Sequence, residues 1–377
     1  MYPIPADASA TVQRPPAGRR TAPRIQPFKR VADDPDFVLR TCLTLSSAFR
    51  QIYAGNAQYL NFESLYRCTY NVCVVHGGEV LYTQVATTMA AEVEKLAGSL
   101  ENTASAPDDE FLRELLGRWK KHSNAVTMIR DVVMYMERSF VEFRHKAPVH
   151  ELGLRAWRDG MLRPDGEVRP RLRATLLQIA GRDRAGEAVD APLRYLMAGA
   201  TKMLVEVGDG LYEEVLEAPF LDEVRRLCAG ESVRLLASPC GCGEYLRTVE
   251  SMMDAEKARV SRFLDAQTEE KVAAVVLAEM VEKNVARLVG MEGSGLASML
   301  IDGRYWDLTR MHRLLGRVQG GVPAMRDCMN AHFQEIRNTA GDDERLLSRD
   351  KERYREMING VFRGEVSFHA ALDSCFT

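Results

Sequence analysis

Residues 119–140, W-K-K-H-S-N-A-V-T-M-I-R-D-V-V-M-Y-M-E-R-S-F, contain neither glycine nor proline and carry their apolar residues at three- and four-residue steps. The stretch reads as one long helix. Trp119, Val126, Ile129, Val133, Met136 and Phe140 share one face, and Ala125, Met128, Val132 and Tyr135 form a second apolar stripe beside it. Arg130, Glu137 and Arg138 lie opposite. At about 100° per residue the two stripes cover roughly 200°, wider than the single stripe of an ordinary surface helix. Such a helix is either buried on two sides within one domain or buried on one side and offered to a partner on the other. Periodicity alone favours the first.

The rest of the chain repeats the helical theme. An apolar pattern over residues 36–52 predicts a first helix, broken at Gly55-Asn56. Asn61 is a good N-cap for a second, because its side chain can accept a bond from an orphan N–H. In that helix Leu65, Thr69 and Val72 face one way, while Phe62, Tyr66 and Tyr70, each four residues on from the last, form an adjacent aromatic row. Gly77-Gly78 ends it. Helical stretches follow over 80–100 and 110–121, joined by a polar linker, and the 119–140 helix continues the second of them. Pro148 closes this block. Two further helical blocks are interrupted only by turn sequences such as R-P-D-G, V-D-A-P, S-P-C-G-C-G and Q-G-G-V-P. No strand hairpin is indicated. The expectation is an all-α chain built as a stacked helical array of three units, 31–150, 151–266 and 267–377, after a basic, Pro-rich extension over 1–30 whose composition predicts disorder.

Composition excludes several function classes. Of 377 residues, 46% are hydrophobic and 27% charged, as in a globular protein. The formal net charge of −3 gives no general argument for nucleic acid, and the basic extension lacks an interleaved aromatic platform. No apolar run approaches the roughly 20 residues of a membrane span, and the N-terminus lacks a signal-peptide pattern. Eight cysteines without a framework indicate reduced thiols, hence cytoplasm or nucleus.

No chemistry emerges from spacing. Cys240-Gly241-Cys242 could touch one zinc, but no second ligand pair lies nearby, so the loop reads as two free thiols and no metal is expected. The Gly290–Gly295 run is preceded by helical sequence rather than a strand and reads as an interhelical turn, not a phosphate cradle. Seven histidines are spread singly. Glu213, Glu214 and Glu217 read as a solvated helical face. Neither a catalytic residue nor a cofactor site can be proposed, which points to a scaffold or docking surface.

Several motifs then carry a resemblance. T-M-I-R-D-V-V-M-Y-M-E-R at 127–138, L-N-F-E-S-L-Y-R-C-T-Y at 60–70 and H-G-G-E-V-L-Y at 76–82 resemble the N-terminal region of the cullin family. So do Y-E-E-V-L-E-A-P-F-L at 212–221, Y-L-R-T-V-E at 245–250, G-S-G-L-A-S-M-L at 293–300 and D-L-T-R-M-H-R-L-L-G-R-V at 307–318. They occur in family order over nearly everything from Arg24 onward. N-F-E-S-L-Y and R-I-Q-P-F at 24–28 are most similar to the cullin-3 type. The resemblance implies three cullin repeats of helical bundles forming an elongated, curved stalk, the non-catalytic scaffold of a ubiquitin ligase. It implies BTB-domain substrate adaptors as partners, held by the second and fifth helices of the first repeat. Phe62, Glu63, Tyr66 and Tyr70, with Met128, Val132 and Tyr135, are then the candidate partner residues. Ile25 and Phe28 would add contacts from the extension, although Pro27 departs from the family pattern there. His312 is another departure, standing where the family usually has Tyr. Whole cullins continue into a region that holds the RING subunit and carries the lysine modified by Nedd8. No RING partner is expected for residues 1–377. Sequestration of adaptors without ligase activity, and a helical trafficking tether, are the alternative expectations.

Overall fold

A computed structural model gives the structure and describes residues 36–101, 106–340 and 344–376. Among the described residues there is no strand. The first helices are α1 (Phe37–Tyr53), α2 (Phe62–Val74), α3 (Gly78–Glu101), α4 (Asp108–Val132) and the short α5 (Met134–Met136), which runs into a π-helical turn, Glu137–Val141. Next come α6 (Val149–Gly160), α7 (Val168–Arg184), α8 (Ala191–Val207), a second π turn (Glu213–Glu217), α9 (Ala218–Ala237) and α10 (Cys242–Phe263). The last are α11 (Thr268–Met280), α12 (Val285–Val289), α13 (Leu296–Asp302), α14 (Tyr305–Leu315), α15 (Gly321–Ala340), α16 (Glu344–Val361) and α17 (Val366–Cys375). Helices pack mainly on near neighbours in sequence: α1 on α3, α3 on α6, α4 on α6 and α8, α10 on α11 and α14, α15 on α17. That is how a helical solenoid distributes its contacts.

The apolar side chains form two cores. The first gathers α1, α2 and parts of α3 and α4, from Cys42 to Val149. The second runs without a break from Val93 to Cys375. Helices α3 and α4 serve both: Leu81, Val85 and Met89 lie in the first core and Val93, Ala97 and Leu100 in the second. Packing is therefore continuous past residue 150.

His122 marks the place where the two cores meet. Tyr53 Oη lies 2.9 Å from its Nδ1, and its Nε2 lies 2.9 Å from the Gly153 carbonyl oxygen. A carbonyl only accepts, so Nε2 carries the proton and Nδ1 accepts from the tyrosine. Trp157 stacks on the imidazole at 5.3 Å between ring centres, and Trp119 meets Trp157 edge-on at 5.1 Å. A Cβ on Gly153 would sit 2.5 Å from Val126 Cγ2, so only glycine lets α6 approach α4 this closely.

Two sequence expectations change. The 119–140 stretch continues the preceding helix, as expected, in an α4 that starts at Asp108 with three acidic residues in its first turn, but it is not one unbroken helix, because α4 stops at Val132. Val133 leaves helical geometry (φ −98°, ψ 17°), and the chain resumes as α5 and the π turn. Nor is residue 217 on a solvated face. Glu217 is buried, accepts from Thr268 Oγ1 at 2.7 Å and pairs with Lys271 at 2.6 Å, tying its π turn to the start of α11. Glu214 pairs with Arg169. The Gly290–Gly295 run is, as expected, a turn between helices: Gly293 takes φ +67°, and a Cβ on Gly295 would meet the Val289 carbonyl at 2.5 Å. His312 is accommodated edge-on against Phe362 and Phe368, at 5.4 and 5.9 Å.

Candidate protein-binding face

Helix α2 is set by its cap and its core stripe. Asn61 adopts an extended backbone, and its side chain accepts from Ser64 N at 3.0 Å. Leu65, Thr69 and Val72 are buried against the first core. With that register fixed, the aromatic row must point away. Phe62 is 38% exposed and Tyr70 45%, while Tyr66 between them is half-buried. Glu63 is exposed and pairs with Arg67 at 2.7 Å, one turn on, a surface ion pair that contributes little to stability. The helix closes with His76 at φ +62°, where His76 N reaches the Cys73 carbonyl and Gly77 N the Val72 carbonyl. This is a Schellman turn with histidine in the left-handed position. Gly77 serves close approach instead, since a Cβ there would lie 2.8 Å from both Val38 and Val72 side chains.

Tyr70 joins α2 to the second predicted helix. Its ring meets that of Tyr135 edge-on, with centres 4.8 Å apart and planes at 61°. Such a pair adds about 0.5–1.5 kcal/mol beyond the area it buries. Met128 is 38% exposed. Val132 does not belong with them: it is 1% exposed and part of the first core. Four residues along a helix turn the side chain about 40° further round, which carries position 132 from Met128's open side onto the core edge. Ala125 is buried for the same reason. The second stripe thus straddles the core boundary, Ala125 and Val132 inside it and Met128 and Tyr135 outside. Ile25 and Phe28 lie outside the described residues.

Sequence reasoning missed Tyr59, Val74, Met134 and Phe143, all exposed. Val74 continues the four-residue row and was findable. Met134 lies about 140° round the helix from the buried Ile129, outside both stripes.

The face is built for contact rather than bond-making. Burial pushes the Cys68 and Cys73 thiols above their ordinary value, so neither is a ready thiolate. Among the described residues no group of three or more His, Cys, Asp or Glu side chains is placed to hold a metal ion. At the S-P-C-G-C-G loop, Cys242 is buried at the start of α10, its thiol pushed up to about 12 by burial and by Asp307. Its N–H donates to Ser294 Oγ at 3.1 Å. No described helix is long and apolar enough to cross a membrane.

Comparison with known proteins places these features in a family. The family model for the Cullin alpha solenoid domain matches residues 43–377. Cullin-3B of Arabidopsis thaliana is 37% identical over 365 residues, which cover 94% of this chain and 49% of the relative. Cullin-3 of Dictyostelium discoideum is 31% identical over 359 residues, 92% of this chain and 46% of the relative. Cullin-3 of Caenorhabditis elegans is 30% identical over 335 residues, 86% and 42% respectively. The chain spans about half the length of the curated relatives it matches.

Proposed function

The chain belongs to the cullin family, and on that premise we propose that it is the adaptor-binding part of a cullin-RING ubiquitin ligase scaffold, acting in cytoplasm and nucleus. Its three repeats, 31–150, 151–266 and 267–377, hold a BTB-domain adaptor at the N-terminal end of the solenoid. The face is the row Phe62, Tyr66 and Tyr70 with Glu63 on α2, joined by Tyr135 and Met128 from α4 and α5. The extension contributes Ile25 and Phe28. The protein's part is positioning, with no bond made or broken on its own residues.

The observation that carries this reading is the outward aromatic row locked to Tyr135. Large apolar side chains held at a surface by their neighbours cost little further entropy to bury, which is what makes aromatic anchors the energetic centres of interfaces. An exposed row in register over two turns of α2 has no role in the core that Leu65, Thr69 and Val72 already supply.

The test is isothermal calorimetry with a purified BTB-domain dimer against Phe62→Ala, Tyr66→Ala and Tyr135→Ala. Each central anchor should cost about 2 kcal/mol or more in binding, roughly thirtyfold in Kd, with circular dichroism unchanged. Unaltered affinity in all three folded variants would remove the assignment.

A further inference from the structure

The end of α13 and helices α15 and α16 enclose a cleft of about 360 Å³. Its apolar wall is Ile301, Ile336 and Leu346, of which Ile301 is 59% exposed and Leu346 40%. Its floor is fixed. His332 is buried, its Nε2 lies 3.0 Å from Tyr354 Oη, and the two rings meet edge-on at 5.7 Å. Burial lowers the His332 pKa, so the floor is uncharged at neutral pH. Glu335 lines the cleft from α15 and Asp350 from α16, and among the described residues neither is in an ion pair. Arg353 lines it too, but its guanidinium is committed to the end of α13, donating to the Leu300 and Ile301 carbonyls at 3.4 and 3.2 Å.

A cleft of the same make lies earlier in the chain, between the end of α7 and helices α9 and α10. There an arginine from the end of α7 sits between the two helices. Arg184 pairs with Glu223 of α9 at 3.1 Å and with Glu256 of α10 at 2.8 Å, and its guanidinium lies over the Phe220 ring at 4.9 Å. In the later cleft the end of α13 supplies Ile301 instead. The carboxylates of α15 and α16 therefore lack the cation that the earlier pair holds. An arginine brought in beside an apolar side chain would meet both the charge and the wall.

The chain carries such a segment in its basic extension. R-I-Q-P-F-K-R-V at 24–31 has three cations, no acid, and Ile25 and Phe28 between them. Pro23 and Pro27 reduce the chain freedom lost on binding. Even fully extended, Arg24 reaches at most about 45 Å from the start of α1. From α1 the packing runs through α3, α6, α8, α10 and α14 to α16, each step about 8–10 Å, and that succession outruns the reach. We propose that the cleft receives the extension of a second copy of this chain, Arg24 between Glu335 and Asp350 and Ile25 against Ile301 and Leu346. The contact is head-to-tail, so each chain offers one extension and one cleft. The inference does not depend on the adaptor reading; it gives Ile25 and Phe28 a place when no adaptor holds them.

The test is sedimentation velocity on the full chain, on a chain lacking residues 1–30, and on Glu335→Lys. Glu335 is exposed, so circular dichroism of the variant should match wild type. At low salt the mean mass of the full chain should rise with concentration and return to the monomer at about 0.5 M salt. Glu335→Lys should weaken association about tenfold or more, and the deletion should abolish it. Equal parts of the two altered chains should form a one-to-one dimer and nothing larger, since one keeps the extension and the other the cleft. Association that survives both changes, or a mixture that stays monomeric, would overturn the proposal. A full chain monomeric at every concentration would overturn it too. In that case faster tryptic cleavage after Arg24 in Glu335→Lys would assign the cleft to the chain's own extension, and equal cleavage would assign it to a different protein.

Discussion

The His122 junction should make the protein acid-sensitive in a defined way. Burial lowers this imidazole to about 4 from an ordinary 6.5, against the opposing pull of its hydrogen bond to the Gly153 carbonyl. The folded state thus refuses a proton that the unfolded chain accepts throughout the window from 6.5 down to 4. Stability is fully present above that window, falls as pH drops through it, and levels off near its lower end. Integrated from pH 7.5 to pH 5, the linkage amounts to about 2 kcal/mol. His332 and His312 are shifted the same way by burial and add to the loss, so the His122 part must be isolated by difference. His122→Gln keeps a donor and an acceptor but cannot titrate. The assay is urea unfolding followed by tryptophan fluorescence, since two of the three tryptophans, Trp119 and Trp157, pack against this ring. Wild type should lose about 2 kcal/mol more than His122→Gln on going from pH 7.5 to pH 5. Equal losses, or a wild type more stable at pH 5, would refute the account of the junction.

Further outcomes follow from single contacts. Gly153→Ala should cost about 1–3 kcal/mol through the Val126 clash, with Val126→Ala restoring part of it in the double variant, read from melting temperatures. Val132→Ala should lower stability by about 2 kcal/mol and leave adaptor affinity unchanged, whereas Met128→Ala should do the reverse, as calorimetry and thermal melts of both would reveal. Deleting residues 1–30 should weaken adaptor binding modestly with no fall in melting temperature; a large fall would make the extension part of the fold.

Much of this was legible in the chain, for identifiable reasons. The Asn61 cap and the Leu65, Thr69, Val72 stripe were readable because a helix end and a core face are both set by local chemistry. The outward row of Phe62, Tyr66 and Tyr70 followed from them. The break at Val133 was not readable, since V-V-M carries no glycine or proline to mark it. The 40° advance between Met128 and Val132 is why a single apolar stripe divided between core and surface. His76, not its glycine neighbours, takes the left-handed position after α2. The burial of Glu217 was hidden for a different reason: its partners, Thr268 and Lys271, lie on a helix far along the chain.

The most direct test of the adaptor face is backbone hydrogen exchange of the full chain, free and saturated with a purified BTB-domain dimer. Protection should rise over residues 61–76 and 128–144, where α2, α5 and the turn after the π segment present Phe62, Tyr66, Tyr70, Tyr135 and Phe143, and should stay unchanged over α10 and α15. Protection confined to those later helices, with residues 61–76 exchanging as in the free protein, would contradict the account.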